Sequence, residues 1–122
     1  MTLIDTSAWI EQLRRVGDAS VRGQVETLLA SGDAAWCPLV RLELWNGARG
    51  EHERTALTDM GETLPSLPID AAVWDRAATL ASGARRRGIT IPATDLLVAA
   101  CARHHEVALL HHDRHFELIA TL

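Results

Sequence analysis

The sequence predicts one α/β domain over residues 1–122, built on a parallel sheet. Short apolar runs of strand type fall at residues 2–4, 34–37 and 107–110. Between them the apolar residues recur at helical spacing, so the strands are expected to join through helices as βαβ units. A length of 122 residues leaves room for one core, and 48% apolar with 23% charged residues is the balance of a soluble globular chain.

Each element has a local reason. Thr2-Leu3-Ile4 is a strand that stops at Asp5. Thr6 and Ser7 are N-cap types, and Trp9, Ile10 and Leu13 mark a helix broken at Val16-Gly17-Asp18. A second helix is expected over 19–30, with Val21, Val25, Leu28 and Leu29 on one face and Gly32 closing it. Pro38 suits the first turn of a helix carrying Leu39, Val40, Leu42, Glu43 and Leu44, loosened at its end by Gly47 and Gly50. Residues 51–60 read as a helix stopped by Gly61, and residues 64–68 as extended because of Pro65 and Pro68. Asp70 caps a helix with Val73, Trp74, Ala77, Ala78 and Leu80 apolar, ending in Arg85-Arg86-Arg87-Gly88, a cationic last turn before glycine. Thr94 is the expected cap of a helix over 95–104. Residues 107–110 form a buried-type strand, 111–115 a loop and 116–122 a last short helix.

Composition removes several classes. The net charge is −4 and all 12 basic residues are Arg, so a sequence-independent nucleic-acid coat is disfavoured, although an enzyme that holds metal with its acids is not. The longest apolar run, residues 96–102, is far short of the ~20 residues that span a bilayer. The N-terminus has no basic flank and meets a carboxylate at Asp5, unlike a secretory signal. Cys37 and Cys101 lack CxxC spacing and read as small buried hydrophobes in a reducing cytoplasm. With no Tyr and a single Phe, a base-stacking platform is poorly supported despite four Trp.

Four carboxylates stand out by position. Asp5 ends the first strand, Asp113 follows the last, and Asp95 opens a helix continued by seven apolar residues. In parallel sheets the C-terminal strand ends converge on one edge, where sites form. Glu43 lies inside Leu39-Val40-Arg41-Leu42-Glu43-Leu44-Trp45, a helix apolar nearly all round and therefore expected to be largely buried. A glutamate there is costly unless paired or bound to a cation. Singly, each acid has an ordinary explanation: Asp5 as a turn or cap, Asp95 as an N-terminal helix charge, Asp113 as a loop residue, Glu43 as a partner of Arg41 or Arg49. Together they fall where an active edge would collect them. If they converge they need cations, and oxygen ligands favour Mg²⁺ or Mn²⁺ over Zn²⁺. Such a cluster suits phosphodiester hydrolysis by metal-activated water. No Ser-His-Asp order, glycine-rich phosphate loop or nucleophile elbow competes.

Ile4-Asp5-Thr6-Ser7, Glu43-Leu44, Thr94-Asp95-Leu96-Leu97-Val98-Ala99-Ala100 and His112-Asp113-Arg114-His115-Phe116 resemble the PIN-domain family. The likeness is to the VapC-type toxins of bacterial type II toxin–antitoxin modules and runs along essentially the whole chain. It implies a three-layer α/β/α fold around a short central parallel sheet and a Mg²⁺- or Mn²⁺-dependent endoribonuclease. It also implies a homodimer, a cytoplasmic location and neutralisation by a VapB-like antitoxin. Asp5, Glu43, Asp95 and Asp113 match the acidic quartet, and Thr6 the hydroxyl after the first acid. Asp5 and Asp95 are the expected metal ligands, with Glu43 and Asp113 completing the site directly or through water.

The family's last motif commonly has Thr two residues before its Asp and a second Asp two residues after; here those places hold His111 and His115. The change removes an auxiliary acid, which argues against a tightly held second metal and leaves open whether the site takes one ion or two. Zn²⁺ on His111, His112 and His115 is an alternative that no cysteine accompanies. Arg114, with His112 and His115, is a candidate for substrate phosphate, as is Arg85-Arg86-Arg87 in place of a solvated helix end. Trp9, Trp45 and Trp74 read as core or interface. Trp9, Leu13, Leu44 and Trp45 are expected to wall a groove for an antitoxin helix. Two rival functions remain: a PIN-like scaffold without activity, and another Mg²⁺-dependent phosphohydrolase. A haloacid-dehalogenase-like phosphatase would need Asp-x-Asp after the first strand, where this chain has Asp5-Thr6-Ser7.

Overall fold

The computed structural model describes residues 1–122. Three strands, β1 (Thr2–Ile4), β2 (Ala34–Ala35) and β3 (Ala108–Leu110), form one parallel sheet in the order β2-β1-β3. Leu3 pairs with Ala35 on one side and Leu109 on the other. Helices α1 (Thr6–Leu13) and α2 (Ala19–Ser31) carry the chain from β1 to β2. Four more, α3 (Pro38–Gly47), α4 (Glu51–Thr63), α5 (Ala71–Arg86) and α6 (Ala93–His104), carry it from β2 to β3, and α7 (His115–Ile119) follows. The two crossovers step across the sheet in opposite directions. Right-handed crossovers taken in opposite directions set their helices on opposite faces, which gives the layered α/β architecture.

The core is packed from β1, from Trp9 on α1, from Trp36, and from the seven consecutive buried residues Leu96–Ala102 of α6. Because α6 packs against α5, α7 and β3 at once, its apolar run has no polar face. Its first turn emerges at the edge of the sheet with Asp95 half-buried. Both cysteines are buried and free, as expected. No helix is long and apolar enough to cross a membrane.

Several local expectations are corrected. The cap of α1 is Asp5, which accepts from the Ser7 amide at 2.9 Å; Thr6 and Ser7 already lie inside the helix. Strand β2 ends at Ala35, and Trp36 instead bridges to Ser66 of the extended proline segment. Helix α4 runs through Gly61 to Thr63, since one exposed glycine costs a helix only about 1 kcal/mol. Pro92, not Thr94, occupies the cap position of α6. Strand β3 is the sheet's half-exposed edge rather than a buried strand, and α7 is shorter than expected and begins at His115. Helix α3 is not buried all round, for Leu42 is 65% exposed. On α5, Trp74 is 58% exposed, outside the core.

Gly17 is required by close approach. A Cβ there would overlap the carbonyl oxygen of Glu11 at the turn between α1 and α2. The Glu11 carboxylate also accepts from the Asp18 amide at 3.1 Å, so the turn cannot simply open. Gly17→Ala is expected to destabilise the fold by about 1–3 kcal/mol, read as a lower denaturant midpoint. An unchanged midpoint would show that the turn relaxes freely.

Candidate active site

The ends of β1 and β3 are tied side by side, because the Asp5 amide donates to the Leu110 carbonyl at 2.9 Å. Chain leaving the two strands therefore delivers Asp5 and Asp113 to the same edge. Asp5 is 4% exposed. Its Oδ2 accepts from the Ser7 amide at 2.9 Å and the Ser7 hydroxyl at 2.6 Å. Ser7 Oγ in turn accepts from the His112 amide at 2.9 Å, which fastens the loop after β3 to the start of α1. Ser7 thus orders two segments of the site, although its sequence context marked it only as a cap type.

Glu43 reaches the same edge from the second turn of α3. The Thr6 hydroxyl donates to its Oε1 at 2.8 Å, and neither Arg41 nor Arg49 pairs with it. Asp95, in the first turn of α6, and Asp113 come together through His115. The His115 Nδ1 lies 3.1 Å from Asp95 Oδ2 and 3.1 Å from Asp113 Oδ1. Donor atoms of Asp95, Asp113 and His115 all lie within 4.8 Å of one another. Asp113 Oδ1 also accepts from the His115 amide at 2.9 Å, which fixes the start of α7.

The acids act on one another's charge. Burial pushes the Asp5 carboxyl up, against its bonds from Ser7, and the charge of Asp113 adds to the rise. Burial likewise raises Glu43, with Asp5 as a further repulsive charge, against the Thr6 hydrogen bond. Asp95 is raised from 3.8 to about 6, first by burial, then by Asp5 and Asp113, with His115 opposing. No arginine offsets any of the four.

This has a measurable sign. Folding raises the Asp95 pKa, so the folded state binds the proton more tightly than the unfolded one. The resulting stabilisation is full below the ordinary value of 3.8 and is lost as pH rises through about 6. Metal-free protein should lose melting temperature over that window, and Asp95→Asn should flatten the loss. Equal pH slopes for the two proteins would show that Asp95 is not strained by its neighbours.

The remaining candidates divide. The His111 ring packs on Phe116 with centroids 5.0 Å apart, and His112 is exposed, so the three histidines do not gather into a zinc-type site. The His115 ring meets two acids and is partly open to solvent. Arg114 is exposed and lines a cleft of 390 Å³ with Thr90, His115 and Glu117. Arg85 and Arg86 are exposed, whereas Arg87 donates to the Thr121 carbonyl at 2.8 Å and anchors the C-terminus. A groove of 410 Å³ beside Glu43 is walled by Ile10, Leu13, Leu44 and Leu57. Trp9 does not line it, being fully buried in the core.

A short parallel sheet with acids gathered at its C-terminal edge is the arrangement of the PIN domain, and the chain belongs to that family, whose model matches residues 2–122. Within it, the chain is 37% identical over 126 residues to VapC ribonuclease Mb1587 of Mycobacterium bovis, covering 100% of this chain and 93% of that protein. Among solved structures it is similar to FitAcB from Neisseria gonorrhoeae, with TM-score 0.75 and 22% identity over 100% of this chain and 94% of that one. It is also similar to VapBC-5 from Mycobacterium tuberculosis, of the VapBC family of toxin–antitoxin systems, with TM-score 0.71 and 19% identity over 97% of this chain and 89% of that one.

Proposed function

We propose that the chain is a metal-dependent endoribonuclease, the toxic member of a toxin–antitoxin pair acting in the cytoplasm. The gathering of Asp95, Asp113 and His115 within 4.8 Å beside buried Asp5, with no arginine to offset the acids, carries this reading. The donor set fits a divalent cation: it is rich in oxygen, negatively charged and open to solvent on one side, as Mg²⁺ or Mn²⁺ requires. Asp5, Asp95 and Asp113 would hold the ion, with Glu43 completing the site through water. When bound, such an ion acidifies a water molecule and stabilises charge on the phosphodiester oxygens.

The chain's own groups do the rest. Thr6 fixes the Glu43 carboxylate beside Asp5, where it would accept a hydrogen bond from the attacking water. Ser7 Oγ is committed to Asp5 and to the His112 amide, so it is not a nucleophile. Arg114 and His112, exposed on either side of Asp113, would meet RNA phosphates. A VapB-like antitoxin would lay an apolar segment into the groove of Ile10, Leu13, Leu44 and Leu57 and bring a cation to Glu43. Assembly as a homodimer belongs to the same reading.

The test is incubation of purified, antitoxin-free chain with total cellular RNA and Mn²⁺ or Mg²⁺, followed by mapping of the new ends. Discrete metal-dependent ends support the proposal. Folded protein that cuts nothing, yet binds a small partner protein when the two are mixed, would favour the scaffold reading.

A further inference from the structure

The place two residues beyond Asp113, where the resemblance leads one to expect an aspartate, holds His115. Its ring is neither a surface group nor a core filler. It is half-buried at the start of α7, a helix seated in the core by Phe116 and Ile119. Its backbone amide is fixed by Asp113, and its Nδ1 stands 3.1 Å from an oxygen of Asp95 and 3.1 Å from an oxygen of Asp113. Neighbouring donors around an octahedral ion with bonds of about 2.1 Å are about 3.0 Å apart. The nitrogen therefore already stands at the spacing of an adjacent ligand from each of the two oxygens, and all three atoms lie within 4.8 Å of one another.

We propose that His115 is itself a ligand of the bound metal, through Nδ1, and that this nitrogen makes the site prefer Mn²⁺ to Mg²⁺. The inference rests on the reading of the acidic cluster as a metal site. Its chemistry is ligand softness: Mg²⁺ is a hard ion that takes oxygen, whereas first-row transition ions accept imidazole readily. An aspartate at position 115 would leave an all-oxygen site and add another negative charge to a crowded cluster. A histidine keeps the donor count without that repulsion. Only one imidazole takes part, since His111 packs on Phe116 and His112 faces solvent, so the set stays oxygen-dominated and differs from the His-rich sets of zinc enzymes.

The probe is Mn²⁺ itself, added to full-length protein freed of antitoxin. Pulsed electron paramagnetic resonance of bound Mn²⁺ should show coupling to a nitrogen nucleus. The coupling should change its isotope pattern on ¹⁵N-histidine labelling and vanish in His115→Asp. Calorimetry should give a ratio of Mn²⁺ to Mg²⁺ affinity roughly tenfold higher for wild type than for His115→Asp. Bound Mn²⁺ with no nitrogen coupling in the wild-type protein would overturn the inference and leave the metal site standing. So would a tighter Mn²⁺ complex in His115→Ala, which would make the ring a competitor of the metal rather than a ligand. Absence of any bound Mn²⁺ would remove the metal site and this inference together. The wild-type spectrum decides even if a variant folds poorly.

Discussion

Asp95→Asn should cut RNA at least about a thousandfold more slowly than wild type, the equivalent of about 4 kcal/mol of barrier, while melting higher in metal-free buffer near neutral pH. The two halves have one cause. The Asp95 carboxylate lies against Asp5 and Asp113, and its proton affinity is raised to about 6 by burial and by those two charges. Asparagine keeps the size and removes the charge, so the apo fold is relieved of repulsion. The same change removes an anionic donor from the cluster that would hold the ion, and the barrier rises by what that ion supplied. Cleavage and thermal melting on the same preparation check both. A folded Asp95→Asn protein that cleaves at the wild-type rate would remove Asp95 from the site.

Metal should also act on the fold. An ion that binds only the native cluster adds about 2.7 kcal/mol at a hundredfold excess over its Kd. For a chain of this length that is a rise of roughly 10 °C in melting temperature. Mn²⁺ should produce the rise and a chelator reverse it, and the gain should shrink in Asp5→Asn and Asp113→Asn. No rise at millimolar Mn²⁺ in antitoxin-free protein would count against a metal at this edge.

The sheet and the acids were legible because local pattern determines them. Leu3 and Ile4 end against a carboxylate, and Leu96 to Ala102 is apolar without interruption, so the strand end and the buried helix are both written in short segments. What was not legible depends on which face a neighbour covers. Trp74 lies at helical apolar spacing on α5, yet α6 covers only the stripe of Val73, Ala77, Leu80 and Ala84. Leu42 sits in an apolar run but projects into solvent. Gly61 looked like a stop, but α4 continues past it because nothing in the turn demands a left-handed residue there. The role of His115 depends on Asp95, twenty residues earlier in the chain, and no local spacing contains that meeting. Ser7 could have been found, since a hydroxyl two residues after a capping aspartate is well placed to bond it.

The double duty of Asp5 decides how position 5 can be probed at all. One oxygen of its carboxylate starts α1 while the group as a whole faces the cluster. Alanine there would take away a helix cap worth about 1 kcal/mol along with the charge, so silence of an Asp5→Ala protein would confuse a loosened helix with a lost reaction. Asparagine caps a helix as well as aspartate does. At this position the amide is therefore the discriminating substitution, and a truncation scan would overstate how much of the chemistry Asp5 performs.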